Sequence, residues 1–184
     1  MAVIPAGLPA CNFVTGPAPR MNVMQDLDVP FITTPDQVVL KILKMAQVTA
    51  DDFVLDLGSG DGRIPITAAK RMGARGLGVE IDPSLVEQSN KNAKTSGVSH
   101  LVEFKVQDLY DTDLRVATVI TMYLLPDVNL KLRPSLQQLK PGTRIVSHDW
   151  DMGDWWPDRT EKLSVPDKKV GLLKESKIML WVVR

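Results

Sequence analysis

One cysteine, Cys11, is all the thiol chemistry this chain of 184 residues has. A single thiol excludes an internal disulfide framework and favours a reducing compartment. His100 and His148 are the only histidines, too few soft ligands for a structural zinc site, so no metal is expected. Charge of one sign is not in excess either, with 22 Lys plus Arg against 22 Asp plus Glu. That balance gives no general electrostatic case for nucleic acid and leaves only a local patch open. No run approaches the roughly 18 apolar residues of a membrane span. The stretch Met1 to Pro19 lacks the basic start and long apolar centre of a secretory signal, so a cytoplasmic location is expected. Internal repeats, low-complexity segments and interdomain linkers are also missing.

What is present is ordinary for a globular protein, at 44% apolar and 24% charged residues. The length suits one α/β domain with a real core. Residues 1–27, small, apolar and rich in Pro and Gly, read as a flexible arm, and residues 28–184 as the domain.

Strand and helix patterns alternate along that domain. Thr34 and Pro35 offer an N-cap and first helical position for a helix carrying Val38, Val39, Ile42, Leu43 and Ala46. Strands follow at 54–57 and 76–81, with a helix from about Ile64 to Met72 between them. A helix over 83–96 stops at Gly97. Strands are predicted at 101–106, 117–125 and 143–150. Residues 127–139 have helical spacing, but Pro134 must kink or divide that helix. Two final strands, 160–165 and 177–183, have no helix between them and form a hairpin. The alternation predicts a doubly wound, Rossmann-like and mostly parallel sheet of seven strands, with an antiparallel strand at the C-terminus.

Asp56-Leu57-Gly58-Ser59-Gly60-Asp61-Gly62-Arg63 carries the strongest chemical signal. An apolar strand runs into three alternate glycines and then a helix start. Glycines let the backbone turn sharply and approach a ligand closely. Glu80, near the end of the next strand, is where a βαβ unit grips ribose hydroxyls. Together they indicate a nucleoside-containing cofactor. The dinucleotide fingerprint G-x-G-x-x-G would need a third glycine at position 63, which is arginine. A pyrophosphate does not call for an acid beside the loop, whereas a cofactor bearing an ammonium group does.

The pair of motifs resembles the first two motifs of class I S-adenosylmethionine (SAM) dependent methyltransferases. The resemblance implies SAM as cofactor, held by Asp56, Gly58, Ser59, Gly60 and Gly62 at the methionine end. It implies Glu80 at the ribose, Asp108 at the adenine amine with an apolar neighbour against the ring, and Ile81, Leu109 and Thr34 among the cofactor-binding residues. Asp56 either orders the loop backbone or meets the SAM ammonium, and the sequence does not separate the two. The segment after the fourth strand, Thr121-Met122-Tyr123-Leu124-Leu125-Pro126, lacks the Asn/Asp-Pro-Pro-aromatic loop of adenine-amino methyltransferases. It lacks the metal-ligating acids of catechol-type enzymes as well.

D-V-P-F-I-T-T-P, T-M-Y-L-L-P-D-V-N and P-G-T-R-I-V-S-H-D-W-D-M narrow the resemblance. They are similar to a group of protein-lysine methyltransferases that includes archaeal and ATP synthase c-subunit enzymes, over about Asp28 to Trp156. The group implies a protein substrate and an acceptor channel among Phe31 to Thr34, Tyr123 to Pro126 and Ser147 to Trp150, with Tyr123, Leu124, Pro126 and His148 as the residues at the chemistry. His148 reads either as a general base or as a histidine hydrogen-bonded at a strand end. Tyr123 reads either as an acceptor contact or as sheet core. Arg63 reads as a helix-start residue facing solvent or the cofactor rim. Trp150, Trp155 and Trp156 could cover the cleft, hold a lysine stem or cap the sheet. Two rivals stand beside the lysine reading: a small-molecule methyltransferase, and an idle SAM-binding regulatory module.

Overall fold

The computed structural model describes residues 32–168 and 174–184. The expected arm, residues 1–27, and the channel residue Phe31 lie outside that range. Among the described residues seven strands form one sheet: β1 (Phe53–Leu57), β2 (Arg75–Glu80), β3 (Val102–Val106), β4 (Val119–Met122), β5 (Arg144–His148), β6 (Arg159–Ser164) and β7 (Glu175–Val182). Their spatial order is β3-β2-β1-β4-β5-β7-β6. The first five pair in parallel. β7 enters antiparallel between β5 and β6, so the closing hairpin is as expected. The order reverses at β1 and β4, and an open α/β sheet places its ligand crevice at the C-terminal ends of those strands.

Among the described residues four α-helices cover the faces: α1 (Asp36–Met45), α2 (Arg63–Met72), α3 (Pro83–Thr95) and α4 (Pro126–Gln137). Alternation along the strands sends Val54, Val119 and Val146 into one buried cluster with Val38, Ile42 and Leu43 of α1 and Ala68 of α2. Leu55, Ile120 and Ile145 point the other way, toward Leu132 and Leu136 of α4. A third cluster seats α3 against β3 through Val86, Ala93 and Phe104. Among the described residues no helix is long and apolar enough to cross a membrane.

Three local expectations need correction. Thr34 does not cap α1: the N-cap is Pro35, and the Thr34 hydroxyl faces the His148 ring at 3.4 Å instead. β4 ends at Met122, the last residue in register with both neighbours, Leu57 and Ser147. Tyr123 to Leu125 therefore leave the sheet, and Leu125 is extended as a residue before proline must be. Pro134 does not divide α4, which runs unbroken past it. Leu132 and Leu136, on either side of it, are both buried, and their packing outweighs the missing hydrogen bond.

Candidate active site

The loop after β1 is shaped by its glycines. Gly58, Gly60 and Gly62 all have positive φ, at 71°, 53° and 77°. The amides of Gly58 and Ser59 donate to the Val79 carbonyl at 3.0 and 2.9 Å, tying the loop to β2. A Cβ on Gly58 would lie 2.9 Å from Leu124, and one on Gly62 would lie 2.6 Å from Phe104. From α3, Ser89 donates to the Gly60 carbonyl at 2.8 Å and Asn92 to the Asp61 carbonyl at 2.9 Å. Sequence reasoning missed both. Ser89 does carry a readable signal: it stands on the same buried face as Val86 and Ala93, where a polar residue needs a partner.

Glu80 reaches across to the same loop. One carboxylate oxygen accepts from the Gly60 amide at 3.0 Å, and the other from the Ile81 and Asp82 amides at 2.8 and 3.2 Å. The first oxygen keeps a free lone pair. Beside it, Ile81 is 52% exposed and Val106 54% exposed. Glu80 and Val106 are partners in the β2–β3 register, so Val106 stands beside Glu80 at the strand ends, and Ile81 follows Glu80 directly in the chain. Asp108 uses one oxygen to accept from the Tyr110 amide at 2.9 Å, which fixes the short turn Leu109–Asp111. That leaves its second oxygen for an amine.

Asp56 is buried and accepts from the Thr121 hydroxyl of β4 at 2.6 Å. Burial, with Glu80 and Asp61 nearby, pushes its carboxyl up to about 8. An incoming cation would draw it back toward the carboxylate. Ser59 behaves differently from its neighbours. Its buried hydroxyl has no hydrogen-bond partner among the described residues and sits only 2.6 Å from where a Gly78 Cβ would be. The side chain is packed between loop and sheet, and only its backbone belongs to the loop surface. Arg63 is more than a helix-start residue. It chelates Asp61, donates to the Thr34 carbonyl at 2.8 Å and lies 3.7 Å from Asp36, joining loop to α1.

The ends of β4 and β5 form the other wall. Tyr123 packs on His148 with ring centroids 4.0 Å apart. Its hydroxyl donates to Asp149 Oδ2 at 3.3 Å, and burial beside that carboxylate pushes the phenol up to about 12. His148 is fully buried, with both ring nitrogens engaged by hydroxyls: Thr34 at 3.4 Å and Ser176 at 2.9 Å. Burial pulls its pKa down to about 4, Asp149 opposing and Lys168 assisting. This is the environment of a neutral, hydrogen-bonded ring, not of a proton acceptor. Leu124 is half-buried over Gly58, and exposed Pro126 opens α4 at its first turn. Ser147 donates to the Trp150 carbonyl at 2.5 Å, and Asn129 of α4 donates to the same carbonyl at 3.1 Å. Trp155 caps the sheet by packing on Trp181 and accepting from its indole at 2.8 Å, whereas Trp156 is 81% exposed.

A glycine loop, a carboxylate with a free lone pair, an open apolar floor and a buried acid meet at the switch point of a seven-stranded sheet. They fit a nucleoside with an attached amino acid, and they define a class I SAM-dependent methyltransferase. Comparison with known proteins gives the family. The model of the ANTKMT methyltransferase domain matches residues 56–159. A protein-lysine N-methyltransferase of Saccharolobus islandicus (strain REY15A) is 42% identical over 137 residues, 73% of this chain and 85% of that protein. An ATP synthase c-subunit lysine N-methyltransferase of Xenopus laevis is 32% identical over 136 residues, 73% of this chain but only 59% of that longer protein. A solved structure of an RNA methyltransferase from Salinibacter ruber, in complex with S-adenosyl-L-homocysteine, is 51% identical with a TM-score of 0.76, covering 83% of this chain and 94% of that one. The chain belongs to the ANTKMT methyltransferase family, and SAM is its cofactor.

Proposed function

We propose that this enzyme methylates lysine side chains of protein, and that the residues around the glycine loop hold SAM. Gly58 to Gly62 take the methionine part, and Glu80 the ribose hydroxyls through its free lone pair. Asp108 takes the adenine amine and Ile81 the ring face. The observation that carries the acceptor reading is the Tyr123–Asp149 contact. A phenol that gives its hydrogen to a carboxylate turns its oxygen lone pairs elsewhere. An amine that attacks along its own lone pair must have acceptors for its N–H bonds, and Tyr123 is placed to be one.

The cofactor supplies a methyl group already activated on a sulfonium. The protein therefore has to orient and desolvate the nucleophile. A lysine has a reference pKa near 10.4 and must lose its proton before attack. Desolvation lowers that value. The aromatic ring of Tyr123, backed by His148, offers a wall that tolerates the cation formed on the nitrogen. No protein base is needed in the transfer itself: the N–C bond forms as the C–S bond breaks, leaving a neutral thioether. His148, neutral and doubly hydrogen-bonded, is on this reading a support for Tyr123.

The Salinibacter structure is described as an RNA methyltransferase, so RNA is the second reading. Affinity for a polyanion rests on several Lys or Arg contacts to phosphate. The segment beyond β5 carries Asp149, Asp151, Asp154 and Asp158, with no basic residue among them. Each faces a cation: Lys168, Lys177, Arg133 and Arg184 respectively. That rim is close to neutral, which favours protein. Incubation with labelled SAM and a proteome extract, beside purified total RNA and a metabolite fraction, tests the reading. Mass spectrometry should place the label on lysine. Label confined to nucleosides or metabolites would refute the assignment, and no label at all would favour a regulatory SAM-binding module.

A further inference from the structure

Lys168 stands outside every motif read from the sequence, on the connection between β6 and β7. Its ammonium is nonetheless drawn inward, with the side chain only 10% exposed. It donates to the Glu175 carbonyl at 2.6 Å and pairs with Asp149 Oδ2 at 2.6 Å. Asp149 is itself held with unusual rigour. It has φ of 65°, a left-handed conformation uncommon for a residue with a Cβ. Such outliers persist where surrounding contacts over-determine them, and they collect at functional sites. Here the Asp149 amide donates to the Lys177 carbonyl at 2.7 Å, and the Lys177 amide returns to Asp149 Oδ1 at 3.0 Å. Oδ2 is left for Lys168 and Tyr123.

We propose that Lys168 is a positioning residue for methyl transfer: its ammonium fixes and neutralises Asp149, so that Asp149 orients the Tyr123 hydroxyl toward the acceptor amine without capturing that amine itself. The inference rests on the lysine reading above. Its physical content is a competition. An acceptor lysine arrives as a cation, and a bare carboxylate beside Tyr123 would bind that cation and hold it protonated, unable to attack. With Lys168 in place, the carboxylate already has its counter-charge and acts only as a hydrogen-bond acceptor for the phenol. The other charged groups are turned away or committed. Lys174 donates to the Lys168 carbonyl, the Glu175 carboxylate pairs with Lys162, and Lys177 leans to Asp151 at 3.7 Å. His148, with its Nε2 3.6 Å from Asp149 Oδ2, is the one titratable ring besides Tyr123 against the pair among the described residues. Thr34 and Ser176, on its two nitrogens, carry no charge.

The test compares the full-length wild type with Lys168→Met, Lys168→Gln and Lys168→Arg on a lysine substrate found as above. SAM affinity should stay within about twofold in all of them, because Lys168 touches nothing around the glycine loop. In Lys168→Met, kcat should fall about tenfold or more with KM unchanged or lower, the mark of a ground state held too well. The alkaline rise of activity should move up by about one pH unit, since the freed carboxylate raises the acceptor's pKa. Lys168→Arg should recover most of the rate, and Lys168→Gln should fall between, which also serves if the methionine variant does not fold. Unchanged kcat and pH profile in folded Lys168→Met or Lys168→Gln would overturn the proposal. So would an arginine variant as slow as methionine, which would mark a purely structural lysine.

A readout without substrate separates this from failure of the lysine reading. Proton NMR follows the two imidazoles, with His100 assigned by His100→Gln. Loss of the Lys168 charge should let His148 titrate at higher pH than in the wild type. An unmoved His148 titration would refute the Lys168–Asp149 coupling whatever the acceptor proves to be.

Discussion

Around Gly58 to Gly62 the cleft is made of backbone, and around Asp149 it is made of side chains. The glycine loop is tied down by amides and carbonyls, with Glu80, Ser89 and Asn92 reaching in from the next strand and helix. The longest of those three reaches, from Asn92 to Asp61, spans 31 residues of chain. The acceptor wall is different. Thr34 meets His148 across 114 positions, and Tyr123, Asp149, Lys168 and Ser176 arrive from four separate segments. A backbone cradle tolerates no added atom but asks little of side-chain chemistry. A side-chain wall tolerates small changes of shape but depends on each charge and hydroxyl. The two halves should therefore fail in different ways when mutated.

The largest effect is expected in the cradle. Gly62→Ala places a Cβ 2.6 Å from Phe104 and 2.9 Å from Ser89 at a φ of 77°. Left-handed strain and overpacking together should cost about 2–5 kcal/mol. Denaturant unfolding should show a lower midpoint, and calorimetry at low temperature should show SAM binding lost. A stable variant that binds SAM normally would mean that the loop is looser than its contacts indicate.

Glu80→Ala comes next. It removes the acceptor for three loop amides and the proposed ribose contact, charge-assisted bonds worth roughly 1.5–3 kcal/mol. SAM affinity should fall by about tenfold or more with the fold retained. Calorimetric affinity equal to wild type in a folded variant would remove Glu80 from the ribose. Comparable binding of NADH would contradict the separation from dinucleotide sites made on Arg63.

The same contrast explains what the sequence discloses. The order of elements is readable because the central strands β1, β4 and β5 are short, largely apolar runs, β3 alternates, and Gly, Pro or a cap punctuates the helices between them. The cradle is readable because a positive φ is written as glycine. The end of β4 is not. Met122 and Tyr123 look alike in an apolar run, and only pairing with Leu57 and Ser147 decides where the sheet stops. Thr34 shows the limit of local rules: its position suits a cap, yet its hydroxyl is claimed by a histidine 114 residues away. Lys168 sits in a polar turn like any solvated lysine, and nothing nearby in sequence marks Asp149 as its partner.

On the side-chain wall, Tyr123→Phe keeps the ring against His148 and removes only the hydroxyl. Turnover should fall about tenfold, near 1.4 kcal/mol, while SAM affinity stays close to wild type. Equal turnover in the two proteins would return Tyr123 to a packing role and take the acceptor reading with it.

His148 should give the smallest effect on catalysis and a distinct one on stability. Burial holds its folded pKa at about 4, below the unfolded value near 6.5. The unfolded chain therefore binds the proton first as pH falls. His148 contributes stability that is present above about pH 6.5 and is lost progressively toward pH 4, about 1 kcal/mol of it by pH 5.5. His148→Gln keeps polar contacts for Thr34 and Ser176 but cannot take up a proton, so its unfolding midpoint should fall less steeply over that interval. Activity should have an alkaline optimum in both proteins, because the acceptor lysine must be neutral whichever residue supports Tyr123. The variant should retain most of its rate at high pH, with a loss within about threefold, under roughly 1 kcal/mol. A wild-type optimum at neutral pH with a variant silent at every pH would instead make His148 the base. It would also point to an acceptor that needs one, such as a hydroxyl. The contrast between the two walls would then be one of chemistry as well as construction.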